Sequence, residues 1–354
     1  MKPAKILVYG AGPLGSIFAA SLQRAGHDVS LLARGIRLDE LREHGIVITN
    51  FASGERSITN VNVVTALLPD DAYDLILVIM RKNHALQILP VLAANQSSPN
   101  VLFLMNNAAG PDALVAVLGK GRVLIGFPSS AGTRRVHEVI ALTGSAEEVY
   151  SVPIGEVDGR ITDRTRYVAD ILSSPVEFKA EIRTDMDAWS KCHVALLMPA
   201  FAPALYACGT DNYRMARTPD AIILTIRGIK EAFRALKALG YPIIPQYIRI
   251  LAAMPEPLLV PVLRKALQKE RMEIAMAAHA NAARDEMKHL TLEFRELTAD
   301  SGVAMPVCDQ LFRYLDPDTE LMPEGKAALR LRWGELLLPA ALLVAVMMIL
   351  IVAC

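Results

Sequence analysis

Short apolar runs alternate with amphipathic segments over the first 120 residues of this 354-residue chain. Continuous apolar runs bounded by turn formers are typical of strands buried on both faces, whereas apolar positions three and four apart are typical of helices. These patterns predict strands at 5–9, 28–33, 74–80 and 101–104, and helices at 16–25, 37–44 and 84–92. Strands that alternate with helices predict a parallel sheet covered by helices on both faces.

The pattern changes near residue 120, and from about residue 184 the spacing of apolar positions is almost wholly helical. Helical segments are predicted near 185–207, 219–239, 244–252, 257–280 and 282–300. We therefore predict an α/β domain over 1–180, an all-α domain over 181–335, and a hydrophobic helix within 336–354.

The C-terminal segment 336–353 contains 18 residues without a charge. This length meets the lower limit for crossing a hydrocarbon core about 30 Å thick. Arg330, Arg332 and Trp333 precede it, as basic and amphipathic residues flank membrane spans on the cytoplasmic side. We predict a membrane anchor here. The alternative is a buried C-terminal helix or an oligomer contact, which Pro339 favours.

Charge and cysteine content narrow the classes of protein. Lys plus Arg and Asp plus Glu both number 37, so the chain has no basic excess to bind a nucleic-acid backbone. The four cysteines are scattered, which argues against a zinc site or a disulfide framework and for a reducing compartment. His193 and His279 lack partners at metal-ligand spacing, so we expect core histidines and no metal. The N-terminus carries no signal peptide, so we expect a cytoplasmic protein, attached to a membrane if the tail inserts.

Three glycines follow the first predicted strand and precede a helix. Gly10, Gly12 and Gly15 enclose Ala11, Pro13 and Leu14 in a GxGxxG pattern. In a dinucleotide-binding turn, the first glycine allows the tight turn, the second lets the backbone approach a pyrophosphate, and the third lets helix and strand pack closely. The strand–turn–helix context favours that interpretation over an ordinary turn.

The end of the second strand indicates which dinucleotide binds. An NAD site places an acidic residue about 20 residues after the glycines. Here the strand ends at Arg34, whose guanidinium can pair with a 2′-phosphate. The sequence therefore favours NADPH, the alternative being that Arg34 is a solvated surface residue.

Polar residues follow two further strands of the predicted sheet. Arg81 and Lys82 come after the strand at 74–80, and Asn106 comes after the strand at 101–104. Ligands bind at this carboxyl edge of open α/β sheets. Residues at such places are as often plain turn formers, so both interpretations stay open.

Lys191 and Glu286 are candidate catalytic or binding residues in the helical region. Lys191 shares a helix face with Val194, Ala195 and Met198, so its pKa should be lowered, as a general acid near neutral pH requires. The alternative is a lysine that extends to the surface. Glu286 borders an apolar stripe, and the pattern by itself favours a solvated residue there.

These pieces, in this order, resemble the ketopantoate reductase (2-dehydropantoate 2-reductase) family over roughly 1–315. The resemblance rests on GAGPLG with LLARG, on RLDELREHGIVI, on Asn106, and on IGFPSSAG, PIGEVDG, the DAWSK lysine and DEM…SGVAMPVCDQLF. It implies an N-terminal Rossmann domain, an all-α C-terminal substrate and dimerisation domain, and hydride transfer from NADPH to a 2-keto acid. It also leaves a homodimer open.

The resemblance implies a role for each matching residue. The family's proton-donating lysine falls on Lys191, its cofactor- and substrate-side Asn falls on Asn106, and its substrate-binding Glu falls on Glu286. The family's cofactor-side lysine falls on Arg81. With Gly10–Gly15 and Arg34, these form the predicted site.

Two departures bear on the substrate. The family carries Asn residues one and two turns after the lysine, where Ala195 and Pro199 stand here, and a Ser before the Glu, where 273–276 has no hydroxyl. A site that lacks such donors binds a hydroxylated keto acid less well. We expect a ketopantoate-type reductase acting on a small carbonyl substrate. The alternatives are a dehydrogenase for a more apolar carbonyl or imine, and a weakly catalytic, membrane-attached NADPH-binding protein.

Overall fold

The computed structural model describes residues 2–336. Its strands are β1 Lys5–Tyr9, β2 Asp28–Leu32, β3 Ile46–Asn50, β4 Arg56–Thr59, β5 Asn62–Val64, β6 Leu75–Val78, β7 Val101–Leu104, β8 Val123–Gly126, β9 Ala131–Arg135, β10 Glu138–Leu142, β11 Tyr150–Glu156 and β12 Phe178–Ile182. The α-helices of the first half are α1 Pro13–Arg24, α2 Ile36–His44, α3 Lys82–Gln87, α4 Leu89–Ala94, α5 Asp112–Leu118 and α6 Asp163–Leu172.

The second half of the described chain is helical. Its α-helices are α7 Met186–Leu197, α8 Phe201–Ala207, α9 Asn212–Ala216, α10 Pro219–Ala238, α11 Gln246–Ala253, α12 Glu256–Leu267, α13 Glu270–Met272, α14 Ala278–Ala282, α15 Arg284–Thr298 and α16 Pro306–Phe312. A π-helical turn spans Glu273–Ala277, and 3₁₀ turns span Ala299–Ser301, Arg313–Leu315 and Trp333–Leu336. The predicted fold class, an α/β region followed by a helical region, is confirmed.

The chain divides into two compact units. Within the described residues, the first consists of 2–194 with Ile274–Leu297, and the second of Ala195–Glu273 with 298–336. The domain division expected at residue 180 stays a prediction.

The first unit contains an eight-stranded sheet in the order β12-β11-β8-β7-β6-β1-β2-β5. Along the sheet from β5 through β2, β1, β6 and β7 to β8, neighbouring strands are parallel. Strand β11 pairs with β8 in the antiparallel direction. Strands β1, β6 and β7 are almost wholly buried, as their continuous apolar runs predict for a sheet covered on both faces. A second sheet has the order β4-β3-β10-β9.

The predicted helix at 185–207 is two helices in the structure. Helix α7 ends at Leu197 and α8 begins at Phe201, with Pro199 between them. Proline lacks the N–H that a continuous helix needs, and its ring clashes with the preceding turn. Pro199 therefore divides the predicted helical segment into two helices.

In the second unit, ion pairs fix the last described residues to α10 and α12. Glu256 is fully buried and accepts two hydrogen bonds from Arg227, with Nε at 2.7 Å and Nη2 at 2.9 Å. Glu335 accepts from the Lys230 ammonium at 2.7 Å and from the main-chain N–H of Glu256 at 2.8 Å. A buried carboxylate needs such donors, so these contacts stabilise the packing of residues 330–335.

The predicted hydrophobic tail lies almost entirely outside the described residues, because only Leu336 of it is described. Among residues 2–336, no helix is both long and apolar enough to cross a membrane. Membrane association through the tail and a homodimer stay predictions.

The close approach of α1 to β1 predicts a specific loss of stability. A Cβ on Gly15 would overlap the main-chain oxygen of Gly10, so Gly15→Ala forces helix and strand apart. We expect the free energy of unfolding to fall by about 1–3 kcal/mol, measured by urea denaturation. Gly121→Ala is the matched control, because a Cβ there meets no atom within 4 Å. Equal stabilities of the two variants would contradict the packing argument.

Candidate functional site

The glycine loop after β1 leaves room for a phosphate group. Gly10 has a φ of +123°, a conformation that side chains disfavour, and Gly15 packs against Gly10. A Cβ at Gly12 would meet no atom within 4 Å, so this glycine faces open space. Gly12 precedes α1, which has no side-chain cap among the described residues and no acidic residue in its first turn. Free N–H groups at a helix start bind anions, so the loop fits the pyrophosphate of a dinucleotide.

Arg37 forms hydrogen bonds that fix the glycine loop, and the sequence did not lead us to this residue. It is buried, its Nε donates to the Ala11 carbonyl at 3.3 Å, and its Nη2 donates to the Ser16 hydroxyl at 3.1 Å. Its Nη1 contacts Glu40 at 3.1 Å. The signal was available, because Arg37 stands four residues before the buried Leu41 and so lies on the packed face of α2.

Arg34 lies at the exposed carboxyl end of β2. Its Nε donates to the Thr65 carbonyl at 3.3 Å, which leaves the rest of the guanidinium exposed. An exposed guanidinium at this edge is able to donate two hydrogen bonds to a phosphate group.

Asn106 and Asn107 begin a turn after β7 that ends at Gly110. Asn107 closes this Asn106–Gly110 turn, since its Oδ1 accepts from the Gly110 N–H at 3.1 Å and its Nδ2 donates to the Gly110 carbonyl at 2.9 Å. Within residues 2–336, the Oδ1 of Asn106 is buried without a hydrogen-bond partner. Buried polar atoms are rarely left unpaired, so this atom is available to a ligand.

Lys191 lies against the same turn. The side chain is 3% exposed, and its ammonium group forms an ion pair with Asp187, one helical turn earlier on α7. A Cβ on Gly110 would lie 3.3 Å from Lys191 Nζ and 3.1 Å from Asp187 Oδ1. Sequence reasoning took Lys191 as an isolated lysine on an apolar face. The partner at the i−4 position was visible in the sequence and was missed.

Glu286 is buried in the first turn of α15, so the solvated interpretation was wrong. Its Oε1 accepts from the main-chain N–H of Lys82 at 3.1 Å, and its Oε2 lies 3.7 Å from His279 Nε2. Burial raises the pKa of Glu286 to about 7, because a carboxylate loses hydration there. This is a group that changes charge near neutral pH.

Arg81 and Lys82 point to different partners. The Arg81 guanidinium donates to Asp285 Oδ1 at 2.9 Å and also contacts the Ala282 carbonyl. Lys82 is the buried residue of the two, with its Nζ 2.5 Å from Asn107 Oδ1 and 3.2 Å from Glu293 Oε1. The cofactor contact assigned to Arg81 stays a prediction, and so does any role of Lys82, which the sequence places beside it.

The histidines do not form a metal site. His193 stacks on Trp189 with ring centroids 5.2 Å apart, and burial lowers its pKa to about 4, so the ring is neutral. Residues 2–336 contain no cluster of His, Cys, Asp and Glu that could hold a metal ion.

The first unit therefore gathers three predicted residues, Asn106, Lys191 and Glu286, around one turn and one buried lysine. The glycine loop and Arg34 follow β1 and β2 at the same carboxyl edge of the sheet, where β6 and β7 also end. A parallel sheet with a glycine loop after β1 is the arrangement of the dinucleotide-binding domains of the Rossmann class.

Comparison with known proteins finds a family whose model matches part of the chain. Residues 6–155 match the family described as "Ketopantoate reductase PanE/ApbA". The 2-dehydropantoate 2-reductase of Archaeoglobus fulgidus is 25% identical over 243 residues, which cover 68% of this chain and 76% of that protein. Residues 6–155 are thus similar to the ketopantoate reductase family, which is the resemblance that the motifs predict, and NADPH is the cofactor of that family.

Two solved structures have the same fold. The 2-dehydropantoate 2-reductase of Geobacter metallireducens superposes with a TM-score of 0.70 at 19% identity, over 89% of this chain and 99% of that one. A D-mandelate dehydrogenase with NADH and anilino(oxo)acetate superposes with a TM-score of 0.68 at 16% identity, over 88% and 96% of the two chains. At these identities the likeness shows the fold alone.

The raised pKa of Glu286 predicts that stability depends on pH. The native carboxyl holds its proton up to about pH 7, whereas a free one releases it near 4.5. The native state binds the extra proton between these values, so stability falls as the pH rises through this window and levels off above it. Glu286→Gln keeps the acceptor for Lys82 N–H and removes the titration.

Urea unfolding of both proteins between pH 4 and pH 8 measures this effect. We expect the wild type to lose about 3 kcal/mol relative to Glu286→Gln across the window. A difference between the two proteins that does not change with pH would contradict the assignment.

Proposed function

We propose that the protein is an NADPH-dependent reductase that converts a 2-oxo acid to a 2-hydroxy acid, in the manner of ketopantoate reductases. The observation that carries the proposal is the burial of the Lys191 ammonium group against the Asn106–Gly110 turn, at the sheet edge that carries the glycine loop. A buried lysine is costly unless it is paired or does chemistry, and this one has the place of the family's proton donor.

Each residue of the site has a separate proposed role in this reaction. Bound NADPH would supply the hydride for the carbonyl carbon. Lys191 donates a proton to the carbonyl oxygen as it becomes a hydroxyl, and the lysine then regains a proton from solvent, so each turnover consumes one proton. Asp187 forms an ion pair with the Lys191 ammonium group and thereby orients it for this transfer. Asn106 and Glu286 orient the substrate through hydrogen bonds, and Glu286 does so as donor or acceptor because its pKa lies near 7.

The substrate is a 2-oxo acid whose substituent is more apolar than that of ketopantoate. Ala195 and Pro199 stand where the family carries hydrogen-bonding Asn residues, and residues 273–276 offer no hydroxyl. A site loses most affinity for a hydroxylated ligand when its own donors are absent. The D-mandelate dehydrogenase of similar fold, with its bound anilino(oxo)acetate, favours an aromatic or branched substituent as the first candidate.

Arg34 is the proposed determinant of cofactor choice. Arg34→Ala removes the guanidinium that would pair with the 2′-phosphate, so we expect the Kd for NADPH to rise roughly tenfold and the Kd for NADH to stay unchanged. Fluorescence titration with each cofactor measures both values. Arg166→Ala is the control, because that residue is exposed and pairs only locally with Asp163. Equal losses for both cofactors would show that Arg34 does not contact the 2′-phosphate.

Lys191→Met tests the proposed chemistry. We expect kcat to fall on the order of 10²–10⁴-fold while the Kd for NADPH stays near the wild-type value, because the proton donor acts in the transition state. NADPH oxidation is measured with ketopantoate, phenylglyoxylate and branched 2-oxo acids. Lys179→Met, at an exposed position on β12, is the matched lysine control.

Two outcomes would overturn parts of this proposal. NADPH binding without turnover of any carbonyl substrate would favour a cofactor-binding protein with little catalysis. Turnover that survives Lys191→Met would exclude Lys191 as the proton donor.

A further inference from the structure

Lys82 is a buried cation that the proposed chemistry does not use. Its side chain is 3% exposed, and its Nζ contacts Asn107 Oδ1 at 2.5 Å and Glu293 Oε1 at 3.2 Å. Burial lowers the pKa of Lys82, while the charge of Glu293 raises it and that of Lys191 lowers it, so the two lysines lie within electrostatic reach of each other. A lysine so placed has a cost in stability that its contacts must offset.

The side chain of Lys82 connects the loop after β6 to the Asn106–Gly110 turn after β7. Asn107 Oδ1 receives both the Lys82 ammonium group and the Gly110 N–H, at 2.5 Å and 3.1 Å. The turn carries Asn106 at one end and borders Lys191 Nζ at the other. A displacement of Asn107 therefore moves both Asn106, which is proposed to bind the substrate, and Gly110, which borders the proposed proton donor Lys191.

The main chain of the same residue holds the third member of the site. The Lys82 N–H donates to Glu286 Oε1 at 3.1 Å. Glu286 and Glu293 both lie on α15, two turns apart, so Lys82 is fastened to that helix through its main chain and its side chain. One residue thus relates the positions of Asn106, Lys191 and Glu286.

We propose that Lys82 is a positioning residue of the reductase site, which sets the Asn106–Gly110 turn through Asn107 and thereby the geometry of substrate and proton donor. This inference rests on the proposed function. Lys82 acts through Asn107 and is not assigned a contact with substrate or cofactor. Its role is distinct from that of Arg81, whose guanidinium is held by Asp285.

A double-mutant cycle tests the link. Lys82→Met keeps an unbranched side chain, one atom shorter, and the main-chain N–H, but removes the donor to Asn107. We expect Lys82→Met and Asn107→Ala each to lower kcat by roughly tenfold to a hundredfold, because small misplacements at a reacting centre have effects of that size. The double variant should lose no more than Asn107→Ala by itself, since that change already removes the acceptor of the Lys82 ammonium group. Lys179→Met should keep wild-type kinetics.

Two readouts separate positioning from a merely structural role. With NADPH deuterated at the transferred position, the isotope effect on kcat should increase in Lys82→Met, because the hydride step itself slows. Loss of folded enzyme would lower kcat without changing the isotope effect. Melting curves establish that each variant is folded at the assay temperature.

Hydrogen exchange tests the inference independently of turnover. Exchange in segment 106–111 should accelerate roughly tenfold in Lys82→Met, while β8 at Val123–Gly126 exchanges as in the wild type. Unchanged exchange in 106–111, or additive losses in the cycle, would overturn the positioning role. Absence of turnover in the wild type would instead count against the proposed function, and hydrogen exchange would still decide the role of Lys82.

Discussion

The parallel pairing of β1 with β2 and β6, and of β6 with β7, is the constraint on which the site depends. Parallel neighbours end at the same edge of a sheet, so the glycine loop, Arg34, Lys82 and the Asn106–Gly110 turn lie along one edge although nearly 100 residues of chain separate the first from the last. The ladder bonds and the buried apolar strands fix this edge. The loops themselves need only supply the chemical groups.

Buried charged side chains cluster near these loops. Lys82, Lys191 and Glu286 are each almost fully buried, and each meets the loss of hydration in a different way. Lys191 has Asp187, Lys82 has Glu293 and Asn107, and Glu286 retains its proton until about pH 7. Apolar residues of similar size would contribute as much or more to stability, so the clustering is better explained by chemistry than by folding.

Features that depend on the period of apolar residues and on local motifs could be predicted from the sequence. The direction in which a side chain points could not be predicted where it depends on residues distant in the chain. Strand β1 and the glycine loop followed from a run of apolar residues and from spacing. Which of Arg81 and Lys82 is buried could not be predicted in this way. The two adjacent side chains point in different directions, and Arg81 pairs with Asp285, some 200 residues later in the chain. Arg37 was also overlooked, although its position four residues before the buried Leu41 indicated the packed face of α2.

Glu286 connects substrate chemistry to protonation. A hydroxylated substrate is able to pair with this carboxyl in either state, accepting a hydrogen bond from the acid or donating one to the carboxylate. An apolar substituent offers neither, so a charged Glu286 would gain no donor from it, and such a substituent would favour the neutral acid. With a pKa of about 7, Glu286 is protonated in a large fraction of molecules at neutral pH. In the proposed function, the neutral acid suits apolar substituents at the same pH at which Lys191 is the proposed proton donor.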